Sequence, residues 1–388
     1  MEPIFEQFVR DLTGGFQVPF WAPMLVSLGL VLAFIALNAM FMIWLERKIC
    51  GRIQRRMGPM LTGPKAWARF SMWTGGWFQT PCDSVKLLLK EDIIPAQVDR
   101  FGFMLAPVLV FMAALAVYVP LPISSTSYAQ SAPIVVAVAD LDIGLLYVVA
   151  ITTLTILAIL TAGWASNNKY SLLGGMRAGV QILSYEIPML FALMGPMVLA
   201  GSLSLGDLVL VQHAGLFGVP LLGWFLVPSF LGAVVYLICA VAETNRPPFD
   251  MPEAEQELVA GFSTEYTAMR FAMFYLAEFS NTFVVCMIFT AVFLGGWTLP
   301  GFIPPSSLNL GFFSLPYFDL LAGMAIFFAK AYAVVLLLMW IRWTFPRLRP
   351  DHLMTFGWKF LLPLSFVNLL VCIVLAAIQQ IYFGGNPG

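Results

Sequence analysis

Residues 221–266 read LLGWFLVPSFLGAVVYLICAVAETNRPPFDMPEAEQELVAGFSTEY. The run at 221–241 is apolar and long enough to cross a bilayer core about 30 Å thick as a single helix. Residues 242–266 then set six carboxylates, Glu243, Asp250, Glu253, Glu255, Glu257 and Glu265, beside one arginine, Arg246, and a second apolar run follows at 271–294. Acids held between two such runs sit at a membrane surface or dip into it. Desolvation is expensive there, and ionisable groups in that position usually serve ions, protons or a partner protein.

The rest of the chain has the same character. Over 388 residues it is 60% hydrophobic and only 11% charged, with a mean hydropathy of +0.87, which is too apolar for a soluble domain of this size. Eight runs qualify as spans: 23–45, 103–121, 143–165, 180–200, 221–241, 271–294, 318–341 and 358–381. Only helices satisfy the backbone of such segments in lipid, and the short alternating strands of a barrel are missing. The predicted fold is all-α: one polytopic membrane domain over 1–388 with eight transmembrane helices. An amphipathic surface helix is predicted within 64–92, where Trp67, Phe70, Trp73 and Trp77 are interleaved with Lys65 and Arg69, with Gly75 and Gly76 expected to break it.

Basic residues orient the bundle. An even number of spans puts both termini on one side, and of the 20 Lys and Arg only Arg10 falls there, so the termini are placed outside and the basic loops inside. The outer connections, such as LPISSTSYAQSAP at 121–133, read as solvent-facing. Glu2, Glu6 and Asp11 precede the first run, so no signal peptide is apparent and the first span is expected to be retained. The five cysteines are scattered without paired spacing and the histidines are only His213 and His352. A flavin, haem, iron-sulfur or metal site built by this chain alone is not expected.

Three inner segments carry chemistry. LERKICGRIQRRMGP (45–59) puts Glu46 and Arg47 where the first span meets the inner surface, with Arg52, Arg55 and Arg56 behind. They read either as a charged anchor or as the lining of a cavity opening there. GWASNNKYSLLGGMRAGVQILSYEIP (163–188) carries Glu186 two or three turns into the fourth run, with Gln181, Ser184 and Tyr185 near it; Pro188 and Pro196 are expected to interrupt that helix. In the acidic stretch, Asp250 and Glu253 have the spacing of a capping pair, with Pro252 in the first turn. Glu255 and Glu257 cannot then share one solvated face, and crowded carboxylates raise one another's pKa. Asp83, Lys86 and Lys90 lie on one helical face, as a solvated stripe would. Glu278 extends the acids into the sixth run, and Lys330, near the middle of the seventh, must pair or lose its proton.

Taken in order, LERK, QRRMGP, LLLKEDIIP, GWASNNKYSLLG, the acidic stretch, LAEFSN, FLGGW and FPRLRPDHLM resemble the signature segments of one membrane component of proton-pumping NADH:quinone oxidoreductase, respiratory complex I. That component is known as the H subunit in bacteria and as subunit 1 in mitochondria. The resemblance runs from the first span to the last. It implies a subunit that is not catalytic alone, forms much of a quinone access chamber, and carries redox energy into a chain of acids. It implies quinone, either ubiquinone or menaquinone, as the substrate. The partners it implies are the soluble quinone-site and iron-sulfur subunits on the inner face, the small membrane subunits alongside, and lipid, with no nucleic acid. On these grounds Glu46, Arg47, Arg55, Asp83, Phe262 and Arg270 match the quinone path. Glu186, Glu243, Asp250, Glu253, Glu255, Glu257, Glu265, Glu278 and Lys330 fall on the proton path. The implied location is a bacterial plasma membrane, ahead of a mitochondrial inner membrane. Two departures stand out: Met60, Leu61 and Thr62 between the two Gly-Pro pairs, and a longer, more aromatic segment at 65–80. A stand-alone ion transporter, or a hydrogenase-, ferredoxin- or deazaflavin-linked relative, is the competing reading.

Overall fold

The computed structural model describes residues 21–60, 75–126, 134–214, 223–252, 259–299, 307–309, 314–316 and 318–383, and these are mainly helical. In order they form α1 (Trp21–Ile53), α2 (Gln79–Leu89), α3 (Arg100–Ala116), β1 (Ser124–Thr126), β2 (Ile134–Val136), α4 (Gly144–Ala165), α5 (Lys169–Ala200), α6 (Leu205–Ala214) and α7 (Phe230–Glu243). A 3₁₀ turn at Gly261–Ser263 then leads to α8 (Ala268–Phe293), β3 (Ser307–Asn309), β4 (Ser314–Pro316), α9 (Phe318–Thr344), α10 (Pro350–Phe356) and α11 (Leu362–Phe383). Five helical runs, α4, α5, α8, α9 and α10 continuing into α11, are long and apolar enough to cross a membrane. α3 and α7 are apolar but shorter, and α1 is 33 residues long.

α8 is the axis of the bundle. It packs against α1, α3, α7 and α9, and most of its length is buried, whereas α11 leaves Phe366, Leu370 and Val374 exposed on an apolar outer face. Small residues allow close helix crossings: a Cβ on Gly175 of α5 would lie 3.3 Å from Gly163 Cα of α4. Polar groups inside the bundle are bonded across helices, as Tyr236 Oη is to Val285 O at 3.0 Å and Asn368 Nδ2 to Ser229 Oγ at 3.1 Å.

Several boundaries differ from the hydropathy reading, each for a local reason. α5 starts at Lys169, well ahead of 180, because Asn168 caps it: Asn168 Oδ1 accepts the Tyr170 N–H at 3.0 Å. The helix therefore outlasts its apolar run. Pro188 and Pro196 do not interrupt α5 but lie inside it, so each removes one N–H donor without ending the helix. The last predicted span begins earlier, at Pro350, and contains a π turn at Gly357–Leu361. α6 was not foreseen, since ten residues cannot span and its sequence reads as a connector. The outer segment read as solvent-facing pairs Ser124 with Val136 and Ser125 with Val135, and both serines are buried; Ser124 Oγ donates to Leu320 O at 3.0 Å. Of the predicted surface helix at 64–92, residues 64–74 lie outside the described residues and the helix seen is α2.

Candidate functional site

The inner end of the bundle is organised around Arg246. α7 ends at Glu243, and Asn245 turns the chain with φ 52°, a conformation asparagine tolerates better than most residues. That turn carries Arg246 inward to a residue exposure of 5%. Its Nη1 donates to Glu46 Oε2 of α1 at 3.1 Å and its Nε donates to Glu278 Oε1 of α8 at 3.1 Å. Arg342 of α9 pairs with the other oxygen of Glu46. The Arg246 guanidinium also lies 4.4 Å from the centre of the Phe279 ring. Burial works against its charge, but Glu46 and Glu278 together outweigh it, so the Arg246 pKa sits above its ordinary value. Among the described residues, two acids and two bases thus form a network, buried at Glu46 and Arg246 and half-buried at Glu278 and Arg342, that joins three helices to the loop after α7.

The same loop is stapled in place from two sides. Gln181 Nε2 of α5 lies 2.8 Å from Ala242 O, 2.6 Å from Phe249 O and 3.3 Å from Asn245 Oδ1. From the other side, Leu348 N donates to Pro248 O at 3.1 Å and Arg347 pairs with Asp250. Asp250 is therefore engaged by Arg347. The proposed capping partner, Glu253, lies outside the described residues along with Glu255 and Glu257.

Beside the network lies a cavity of about 260 Å³ whose wall includes Glu243, Glu278, Asn281, Phe262, Phe271 and Tyr275. A water molecule takes roughly 30 Å³, so the space accommodates several. Glu243 is 7% exposed, and its Oε2 has no hydrogen-bond partner among the described residues. An unmet buried carboxylate oxygen facing a cavity calls for a proton, a water or a ligand group. Glu186, 8% exposed, lies on α5 within electrostatic reach of Glu243, with Thr152 Oγ1 3.5 Å from its Oε1.

The other predicted residues are distributed as follows. Arg47 Nη1 donates to Asp83 Oδ2 at 2.7 Å and Gln79 Nε2 of the same helix donates to its Oδ1 at 3.1 Å, so Asp83 ties α2 to α1. Arg270 is held by Asp92 at 3.0 Å and sits over the Phe103 ring, while Phe262 lines the cavity. Glu265 accepts from Asn168 Nδ2 at 2.7 Å. Arg55 is exposed in the turn after α1, away from the cavity. Lys330 is not brought to the acids: its Nζ meets the carbonyls of Leu294, Gly296 and Thr298 at the opposite end of α8. Sequence reasoning did not assign Arg246, Arg342, Arg347 or Asp92 to the site. Arg246 had a signal, being the one cation among six acids, since buried acids need a counter-charge. The Arg47 and Asp83 side chains are 39% and 30% exposed, so Asp83→Asn should cost about 1 kcal/mol or less in thermal unfolding of the assembled protein.

A family model described as NADH dehydrogenase matches residues 26–373. The chain is 42% identical over 358 residues to the H subunit of NADH-quinone oxidoreductase from Anoxybacillus flavithermus, an alignment covering 92% of this chain and 94% of that protein. It is 41% identical over 352 residues to the protein of the same name from Dehalococcoides mccartyi, covering 91% and 86%. Geobacter sulfurreducens has a relative named as H subunit number 1 of NADH-quinone oxidoreductase, and against it the identity is 37% over 377 residues, covering 94% and 98%.

Proposed function

Because the chain belongs to the NADH dehydrogenase family, we propose that it is the H-type membrane subunit of an NADH-quinone oxidoreductase and couples quinone reduction to proton movement. It spans a bacterial plasma membrane eight times with both termini outside. Its inner face, carrying Glu46 and Arg47, walls a quinone chamber against the soluble quinone-site and iron-sulfur subunits, with the small membrane subunits alongside. Hydride transfer from NADH belongs to those partners, and the substrate reaching this chain is ubiquinone or menaquinone.

The observation that carries this reading is the Arg246 bridge. Glu46, at the predicted chamber, and Glu278, at the predicted proton path, share one guanidinium at 3.1 Å each. A change of charge in the chamber beside this bridge is felt at Glu278 through the shared guanidinium, because buried charges interact strongly at short range. Glu278 and Glu243 line one cavity, so water held there would give protons a route between them, and Glu186 would continue it. Glu253, Glu255, Glu257 and Glu265 belong to the same inner-face acid group on sequence grounds.

Glu243→Gln and Glu186→Gln test this directly in assembled membranes. Each should lower coupled quinone reductase activity at least tenfold, in the range removal of a positioned proton carrier produces, while NADH oxidation by artificial acceptors persists. Glu253→Gln should act in the same direction. Full quinone reduction with full proton pumping in Glu243→Gln would overturn the reading, and equal loss of both NADH activities would indicate failed assembly instead.

A further inference from the structure

We propose that Lys330 is a cationic plug, an ammonium held by backbone carbonyls that closes the C-terminal end of α8 and positions the helix bearing Glu278, standing outside the proton route. The geometry is that of a cation site. Nζ lies 2.7 Å from Leu294 O, 2.9 Å from Gly296 O and 2.6 Å from Thr298 O. Three acceptors match the three donors of an ammonium, whereas a neutral amine has two N–H bonds and would turn its lone pair toward one carbonyl. The Trp224 ring lies 4.6 Å from Nζ and completes the site with a cation–π contact. Among the described residues Lys330 forms no salt bridge with a carboxylate.

The helix end supplies the reason for a cation. The C-terminal end of a helix carries the negative end of its dipole; Leu294 is the C-cap of α8, and Gly296 and Thr298 add carbonyls from the turn that follows. FLGGW, 293–297, shapes the receptor. Gly295 and Gly296 have φ of 69° and 53°, which carries the chain through a left-handed turn and aims its carbonyls at one point. A Cβ on Gly295 would come within 2.8 Å of the Trp224 ring, and one on Gly296 within 2.8 Å of Val209. At 1.5 Å per residue the plug lies about 24 Å along α8 from Glu278, too far for direct proton exchange with it. Lys330 is thus a positioning residue that sets where α8 sits relative to α9.

The proposal rests on the coupling role above only for its pumping readout. The test uses the whole complex in native membrane vesicles, measuring protons pumped per NADH oxidised and the midpoint of thermal disassembly. Lys330→Arg keeps the charge and cannot release a proton; the parental proton-to-electron ratio is expected. Lys330→Met should lower the disassembly midpoint and the assembled amount, with the ratio unchanged in what assembles. Lys330→Arg complexes that reduce quinone at the parental rate with the ratio halved or abolished would overturn the plug and make Lys330 a relay. If Lys330→Met yields no complex, Lys330→Arg decides alone. A parental complex that reduces quinone without pumping would refute the coupling role and leave the thermal test of the plug standing.

Discussion

Arg246→Met is expected to be among the most damaging single changes in this chain, lowering stability by about 3–5 kcal/mol and abolishing coupled quinone reduction. The magnitude follows from what the substitution leaves behind. Methionine approximates the bulk of the side chain, so packing is largely kept, but Glu46 loses one of its two cations and Glu278 loses its hydrogen-bonded partner. Breaking a buried ion pair by removing one member strands the other charge in a poorly solvated site, and that penalty dominates. Arg246→Lys should fall between, since a single ammonium cannot offer two separate donors to two carboxylates as the guanidinium fork does. Adding Glu278→Gln to Arg246→Met should recover part of the loss by neutralising one stranded acid. Thermal disassembly of the complex and NADH:quinone reductase activity read all three variants. Arg246→Met with parental stability and activity would mean that the network does not hold the site together.

The arrangement behind that expectation was only partly visible in the chain itself. Hydropathy located α4, α8 and α9 to within a few residues, because each is a long apolar helix and the solvent boundary is also the helix boundary. It failed for α5, where Asn168 starts the helix well outside the apolar run. The acids themselves were legible, since Glu186, Glu243 and Glu278 are conspicuous among apolar neighbours. Their partners were not. Arg246 and Glu46 are 200 residues apart, and no local pattern announces such a pairing. Asp250 illustrates the same point: its spacing suggests a local cap with Glu253, which lies outside the described residues, while no local pattern announces its tertiary cation, Arg347. The sequence shows that Lys330 must pair or lose its proton but not with what: backbone carbonyls meet it, and carbonyl direction is a property of the turn at Gly295 and Gly296 rather than of any side chain.

Gly174→Ala should be damaging out of proportion to a single methyl group. A Cβ there would lie 2.6 Å from Gly261 Cα, 2.8 Å from its carbonyl carbon and 2.9 Å from Phe262 N, all backbone atoms with no rotamer in which to retreat. The opposing segment has little freedom of its own. Gly261 has φ 57°, a Cβ on it would collide with the carbonyl of Pro252, and Ser171 Oγ donates to Phe262 O at 3.1 Å. The added methyl must therefore push residues 260–262 away from α5, and Ala260 and Phe262 are wall residues of the cavity shared by Glu243 and Glu278. Overpacking of this kind costs about 1–3 kcal/mol, and displacement of the wall should reduce quinone reductase activity beyond what the stability loss explains. Gly29→Ala is the control, because nothing lies within 4 Å of its Cβ position and alanine favours a helix interior. It should leave both stability and activity near parental values. If Gly174→Ala behaves like Gly29→Ala in both measurements, α5 and the segment at 260–262 do not meet backbone to backbone, and the cavity wall is not held in the way described.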